Sequence, residues 1–353
     1  MTRVLRTYLA VPPSPGGMEK HIHELSQRQR ASGLEVIQLY CVGDTGRATD
    51  VQVLKGWSIL YLRPQWLRDL LFYAAAFAAA GKRGLRADVL HVHGDWSAYL
   101  FAKALAWRVG ARVRIATMHG HVPDRSWRRW LYRVACAGYD GMYATGVREA
   151  QVLSAWTGRT WHWITSGVQE WPVAAVSTVE PCDVLTVASL VPVKNLSLVL
   201  DAAAMLPHRR FRIIGDGPLA ESLAEEVRER GLANVELAGP RSHTSMPAEY
   251  AAARMFLLTS LQEGTPTALL EAIAAGLPVA ITPCNDLDPV VKPGQGGVVI
   301  PSWKATDVVA CVEMVLADGL LWLAMSDFNR ARGGDYAWSS IAARVTSLME
   351  PAA

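Results

Sequence analysis

Hydrophobic runs of strand length alternate with helix-like segments along the whole chain, and this rhythm limits the possible folds more than any other feature. The strand-like runs fall at 3–11, 35–41, 88–93, 112–118, 140–144 and 160–165, then at 183–188, 210–214, 234–238, 255–259 and 278–282. Strands joined by helical crossovers build parallel sheets covered on both faces. With 353 residues, 51% of them hydrophobic, the chain can fill two cores of the usual domain size of roughly 100–200 residues. The expectation is an α/β protein of two doubly wound, Rossmann-like parallel-sheet domains, 1–168 and 183–335, with a cleft between them. A linker at 169–182 contains Pro172 and Pro181, and a last helical segment occupies 336–353.

One segment concentrates chemistry. Residues 261–277, Leu-Gln-Glu-Gly-Thr-Pro-Thr-Ala-Leu-Leu-Glu-Ala-Ile-Ala-Ala-Gly-Leu, set Glu263 and Glu271 on either side of a small-residue turn that opens a helix. Thr265 suits the N-cap and Pro266 the first helical position, so the amides of Thr267 and Ala268 would point outward at the helix start. Such a terminus attracts phosphate, and flanking carboxylates accept hydrogen bonds from sugar hydroxyls. Glutamate near a helix start is common for dipole reasons alone. Context adds weight: a buried strand precedes the pair and another follows, which puts it at the carboxyl end of a parallel strand, where open α/β sheets bind ligands.

Charge is divided along the chain. Residues 1–175 carry 22 Lys and Arg against 12 Asp and Glu, and the remainder 13 against 20. A basic half of that size suits an anionic partner, a membrane surface or nucleic acid. Trp127-Arg128-Arg129-Trp130-Leu131-Tyr132-Arg133 and Gln65-Trp66-Leu67-Arg68-Asp69-Leu70-Leu71-Phe72-Tyr73 mix cations with interfacial aromatics, as membrane-surface helices do; ordinary amphipathic helices facing a core have the same periodicity. No nucleic-acid recognition motif accompanies the basic half, so no nucleic-acid partner is expected. The five cysteines are scattered and odd in number, which fits a reducing, cytoplasmic setting. Neither a signal peptide nor a spanning helix is expected.

Glycine-rich turns follow a strand in each half. Val11-Pro12-Pro13-Ser14-Pro15-Gly16-Gly17-Met18 places paired glycines before a helix, and Ile214-Gly215-Asp216-Gly217-Pro218 ends a strand in a tight turn. Neither has the Gly-x-Gly-x-x-Gly or phosphate-loop pattern, so hydride transfer and ATP hydrolysis find no support.

Taken together these segments resemble the retaining glycosyltransferases of the GT-B fold, family four, with their Glu-x7-Glu motif, over nearly the whole length. The resemblance is carried by Pro13 to Glu19 with His23-Glu24-Leu25; by Val89-Leu90-His91-Val92-His93-Gly94 and Thr117-Met118-His119-Gly120; and by Val187 to Asn195, Ile214 to Leu219, Asn234 to Gly239 and the Glu263–Glu271 segment, in the family's order and spacing.

The resemblance implies residue roles. Glu263 would hold hydroxyls of the donor sugar and Glu271 the ribose, with the backbone of Gly264, Thr265, Pro266 and Thr267 on sugar and phosphate. Lys194 would neutralise the diphosphate, Gly215 and Gly217 would belong to the donor side, and Gly16 and Gly17 would bring amides to the diphosphate from the other domain. His119 would stand by the transferred sugar and the acceptor. His91 and His93 alternate on a strand, so one of them should face the ligand, and His93, beside Gly94, is the better placed. Cationic and backbone donors would stabilise the leaving group with no metal and no cofactor beyond a UDP- or GDP-linked sugar. The donor's own phosphate oxygen would take the acceptor proton, so no dedicated base is required. The helix after Tyr336-Ala337-Trp338 would return to the first domain.

The chain departs from the family at two places. Ala188-Ser189 stands where Gly-Arg is usual, so a diphosphate cation is missing at Ser189, and Arg241 is the nearest candidate to replace it. After Thr282, Pro283-Cys284-Asn285-Asp286-Leu287-Asp288-Pro289 replaces a Gly-Gly-x-x-Glu turn. The expected activity is retaining hexosyl transfer from a nucleotide-diphosphate sugar to a lipid-linked or surface-glycan acceptor of lipopolysaccharide or polysaccharide type, in the cytoplasm and peripheral to the membrane. The alternatives are a soluble small-molecule acceptor, or an inactive nucleotide-sugar-binding homologue.

Overall fold

A computed structural model of the chain describes residues 1–12, 17–120, 122, 126–170, 179–284 and 287–350. It divides into two compact units, Met1–Ser166 with Trp338–Ala353, and Gly167–Ala337. The first unit contains strands β1 (Arg3–Thr7), β2 (Glu35–Tyr40), β3 (Val51–Gln52), β4 (Val89–His93), β5 (Val113–Met118), β6 (Gly141–Ala144) and β7 (His162–Trp163). Between them run helices α1 (Gly17–Ala31), α2 (Gln65–Lys82), α3 (Trp96–Val109), α4 (Ser126–Cys136) and α5 (Val147–Thr157). The second unit contains β8 (Cys182–Val187), β9 (Phe211–Ile214), β10 (Val235–Gly239), β11 (Ala253–Leu258), β12 (Val279–Ile281) and β13 (Gly297–Val299). Its helices are α6 (Ser197–Met205), α7 (Ala220–Glu229), α8 (Met246–Ala251), α9 (Thr267–Ala274), α10 (Asp288–Val291), α11 (Ala305–Ala317) and α12 (Gly319–Arg332). A final helix, α13 (Trp338–Ser347), belongs to the first unit.

Both sheets are parallel throughout, in the orders β3-β2-β1-β4-β5-β6-β7 and β10-β9-β8-β11-β12-β13. Strand order reverses between β1 and β4 in one and between β8 and β11 in the other. Loops diverge at such a reversal, leaving a crevice at the carboxyl ends of those strands.

Alternation along the strands of the first unit fills two cores. Leu5, Leu39, Leu90, Val92 and Ala116 meet α2 and α3 through Phe72, Ala76, Tyr99 and Leu105. Val4, Val36, Val89, Val113 and Ile115 meet Leu25 of α1 and Trp338, Ile341 and Val345 of α13. Burying a large apolar side chain stabilises by about 1.5–3 kcal/mol, so the 2% exposed Trp338 is a strong anchor for the returning helix. In the second unit Leu257, Ala280, Ile213 and Val184 pack with Leu200, Val308, Val312 and Met325.

The unit boundary falls after Ser166, and Val168 already pairs with Ala337 in the second unit. Of the segment 169–182 expected as a linker, 171–178 lie outside the described residues, and Cys182 is the first residue of β8. Two strands escape the hydrophobic pattern: β3 has two residues, and β13 has three in a glycine-rich stretch. Among the described residues no single helix is long and apolar enough to cross a membrane.

Candidate active site

In the second unit the crevice lies between the loops after β8 and β11. A short 3₁₀ turn, Pro192–Lys194, follows β8 and ends at Asn195, whose φ of 50° takes it into the left-handed region. The turn is pinned to the β11 loop by Leu261 N donating to Val193 O (2.8 Å) and Thr259 Oγ1 donating to Lys194 O (3.0 Å). Lys194 Nζ donates to Glu263 Oε1 at 2.5 Å, and Ser260 Oγ donates to the same oxygen at 2.6 Å. Side-chain exposures of 19% and 8% leave this ion pair mostly desolvated, which strengthens it beyond a surface pair. Thr282 Oγ1 (2.7 Å) and Trp303 Nε1 (3.1 Å) both donate to Ser260 O and fix the loop from below.

Helix α9 opens at Thr267, with Pro266 in the N-cap place at φ −69°, ψ 125°. This corrects the expected start: Pro266 is the cap residue and not the first helical one, and Thr265 lies before the cap. Its fixed φ and extended ψ end the loop without a side-chain cap. The first amides bonded within the turn are those of Leu269 and Leu270, both to Pro266 O, so those of Thr267 and Ala268 precede the helical ladder. Gly264 and Thr267 are exposed along this lip, while Glu271, one turn in, is 7% exposed and accepts a hydrogen bond from Tyr250 of α8 at 2.9 Å. Burial and the adjacent carboxylate push the Tyr250 hydroxyl well above its usual range, so it stays a donor.

Gly215 and Gly217 serve packing at this crevice. Their φ values are 150° and 156°; a Cβ on Gly215 would collide with Ala188 O, and one on Gly217 would lie 2.6 Å from Leu190 O. The Gly215-Asp216-Gly217 turn therefore closes directly on the loop that carries Ser189, which is exposed. Arg241, the expected substitute cation, donates to Glu249 Oε1 at 2.9 Å. The 3% exposed Glu249 also takes Arg212 at 3.5 Å, which ties Arg241 to α8. The chain has one Asp-x-Asp spacing, Asp286-Leu287-Asp288; Asp286 lies outside the described residues and Asp288 opens α10.

In the first unit the crevice at the ends of β1 and β4 is a cavity of about 350 Å³. Tyr8, Phe72 and Tyr73 form apolar walls, Glu19, Arg68, Asp69 and Asp95 supply charge, and His93 and His119 stand at the strand ends. Asp95 caps α3 and accepts from the Tyr132 hydroxyl; Asp69 accepts from Ser97 at 2.5 Å and from Arg68 at 3.2 Å. Burial raises the Asp69 carboxyl above its usual range.

His93 Nδ1 and His119 Nε2 are 2.9 Å apart, so one donates to the other. His93 is 4% exposed, and its Nε2 has no hydrogen-bond partner among the described residues. The expectation that only one of His91 and His93 faces the site through alternation is corrected: residues two apart on a strand share a face, and these rings are 4.2 Å apart. Position along the strand separates them. His91 is sealed beneath, against Arg6 and Thr117 Oγ1, and only His93 reaches the cavity. Burial lowers the pKa of His21, His91 and His93 well below 6.5 and that of His119 to about 4, so all four are neutral near pH 7. Gly16 lies outside the described residues, and Gly17 is the first residue of α1.

Sequence reasoning passed over Ser260, Tyr250, Arg68 and Asp69 as site residues. Arg68 and Asp69 stand within an aromatic-cationic stretch that sequence left open between a membrane-surface helix and a core-facing one, and the buried side of the helix was the missing information.

The comparisons agree with this architecture. Residues 15–169 match the model of Glycosyltransferase Family 4, and residues 169–332 that of Glycosyl transferases group 1. The alpha-D-kanosaminyltransferase of Streptomyces kanamyceticus is 28% identical over 38% of this chain and 36% of its own. The amylovoran biosynthesis glycosyltransferase AmsK of Erwinia amylovora is 24% identical over 69% of this chain and 65% of its own. The chain spans about a third of the length of the first curated relatives it matches. Among solved structures, HepE of Anabaena in complex with UDP has a TM-score of 0.73 at 16% identity, covering 98% of this chain and 99% of its own. The lipopolysaccharide outer core galactosyltransferase WaaB has 0.74 at 17%, covering 99% of each. The two family models together run from residue 15 to 332, so the chain belongs to the family Glycosyl transferases group 1 and has the GT-B fold.

Proposed function

We propose that the chain is a retaining, metal-independent hexosyltransferase. It moves a sugar from a UDP- or GDP-linked donor to a lipid-linked or cell-surface glycan, in the cytoplasm at the inner face of the membrane. The observation that carries this reading is the Lys194–Glu263 pair set beside the opening of α9, with Glu271 buried one face behind. Lys194 and the first amides of α9 offer positive charge to a diphosphate leaving group, Glu263 accepts sugar hydroxyls, and Glu271 accepts from the ribose. No second carboxylate is required as a base, because the departing phosphate oxygen takes the acceptor proton on the same face of the sugar.

The first unit supplies the acceptor side. A hydroxyl can donate to His93 Nε2 or accept from it, whichever tautomer the pair with His119 selects, whereas a phosphate can only accept. The glycan acceptor is supported by the names of AmsK and WaaB, and UDP is the first nucleotide to test because HepE was solved with it. Five unpaired, buried thiols support the cytoplasm.

A thermal-shift panel of UDP, GDP and their hexose conjugates tests the donor: binding raises the midpoint with the logarithm of ligand excess. If none moves it, the donor assignment is wrong. Transfer abolished in Glu263→Ala excludes an inactive homologue.

A further inference from the structure

We infer that the outer face of α2, α3 and α4 is a docking surface for an anionic lipid bilayer; this deepens the placement at the membrane proposed above. On α4, Trp127, Trp130 and Val134 form one stripe at i, i+3 and i+7 and are 53%, 65% and 39% exposed, while Tyr132, Ala135 and Cys136 on the other side are fully buried. The amphipathic pattern thus has an apolar side that the fold does not cover. On α3, Trp107 is 78% exposed and stacks on Phe77 of α2 with centroids 6.4 Å apart and planes 8° off parallel.

The two apolar areas are neighbours with a lysine between them. Lys103, one turn before Trp107, donates from Nζ to Val134 O at 2.8 Å, joining the Trp107 side of α3 to the Val134 end of α4. Further along α2, Trp66, Leu70 and Leu71 are 44%, 38% and 45% exposed.

Charge selects the occupant. Apart from Arg68, which pairs with Asp69 at the cavity, and Arg128, which pairs with Asp95 at 3.6 Å, the three helices carry Lys82, Lys103, Arg108, Arg129 and Arg133, and their one carboxylate, Asp69, is 3% exposed. Arg128 lies 5.5 Å over the Trp127 ring and Arg108 5.9 Å over Phe77, so guanidinium groups flank the exposed rings. Indoles that seat at the headgroup level, ringed by cations and free of exposed carboxylates on these helices, match a surface of anionic phospholipid headgroups. A protein partner or a second copy would require no such one-sided charge.

The test uses the full chain with phosphatidylglycerol-rich or pure phosphatidylcholine vesicles. The expected result is co-sedimentation with the anionic vesicles at 50 mM salt, at least tenfold weaker at 500 mM, and little binding to phosphatidylcholine. The variant W107S/W127S/W130S should lose at least tenfold in partitioning while keeping the UDP-induced thermal shift of the second unit. In case that variant folds poorly, brominated phosphatidylglycerol should quench the wild-type indole fluorescence. No wild-type binding at low salt, undiminished binding of the triple variant, or self-association of the wild type abolished by the triple variant would each overturn the inference. A chain that responds to UDP but ignores vesicles refutes the surface and the membrane placement while leaving the donor reading standing; one that binds vesicles but no nucleotide refutes the donor reading alone.

Discussion

Lys194 Nζ lies 2.5 Å from Glu263 Oε1, although 69 positions separate the two residues, because β8 and β11 are neighbours at the point where strand order reverses. Removing either side chain leaves a mostly buried partner uncompensated and also deletes a donor-binding group. Each of Lys194→Ala and Glu263→Ala should lower kcat/KM about 100-fold, which is roughly 2.7 kcal/mol of transition-state stabilisation. The double variant should lose far less than the product of the two, because the groups act as one unit. Independent, multiplying losses in a double-mutant cycle would show that the pair has no joint role.

Tyr250 holds Glu271 at 2.9 Å from the neighbouring helix. Tyr250→Phe removes a donor from a buried carboxylate while keeping the ring that packs 6.4 Å from Phe256. One hydrogen bond to a charged group is worth about 1.5–3 kcal/mol, so donor KM should rise at least tenfold. Because the ribose is held equally in ground and transition states, kcat should stay within about twofold. Steady-state kinetics with varied donor checks this split, and a fall in kcat at constant KM would place Glu271 nearer the reacting atoms.

These relationships mark where sequence stops being informative. Hydrophobic runs located β1, β2, β4 to β6 and β8 to β12; all but the half-exposed β10 contribute several buried residues. They missed β3 and β13, whose two and three residues are too short for a period to register. Motif order pointed to Lys194, Glu263 and Glu271, but the direct contact between Lys194 and Glu263 depends on strand order. The same holds for Arg241, whose tie to Glu249 depends on how α8 packs and which charge sequence reading left open. The role of Asp69 was hidden by its place in an aromatic-cationic stretch, since only folding decides which side of α2 is inside.

Gly215 tests packing separately from chemistry. A methyl group there meets Ala188 O in a backbone region that side chains rarely adopt. Gly215→Ala should therefore destabilise by about 2–4 kcal/mol, the range of a named backbone and steric defect. Ser189→Ala, on the exposed loop alongside, should stay within about 0.5 kcal/mol. Chemical denaturation of both variants makes the comparison, and equal stabilities would mean that the turn does not close on the β8 loop.

The histidines of the first unit predict a sensitivity to acid. His21 stands edge-on to His119, with centroids 5.0 Å apart, and His93 stacks on His119 at 5.2 Å. Burial first, then for His21, His91 and His93 the neighbouring histidines and Arg6, disfavours the charged forms; His119 is held at about 4 by burial. A folded pKa below the unfolded 6.5 means that the unfolded chain binds more protons at mildly acid pH. Stability is therefore complete above about pH 6.5 and is lost as pH falls toward the folded values. For His119 the window is pH 6.5 to 4, and each histidine kept neutral in the fold costs on the order of 1.4 kcal/mol per pH unit within its window. Unfolding free energies at pH 7.5, 6.0 and 5.0 should fall steeply across the last interval, and His119→Gln should flatten the slope by about one proton. A slope unchanged by that substitution would mean that His119 titrates normally in the folded chain.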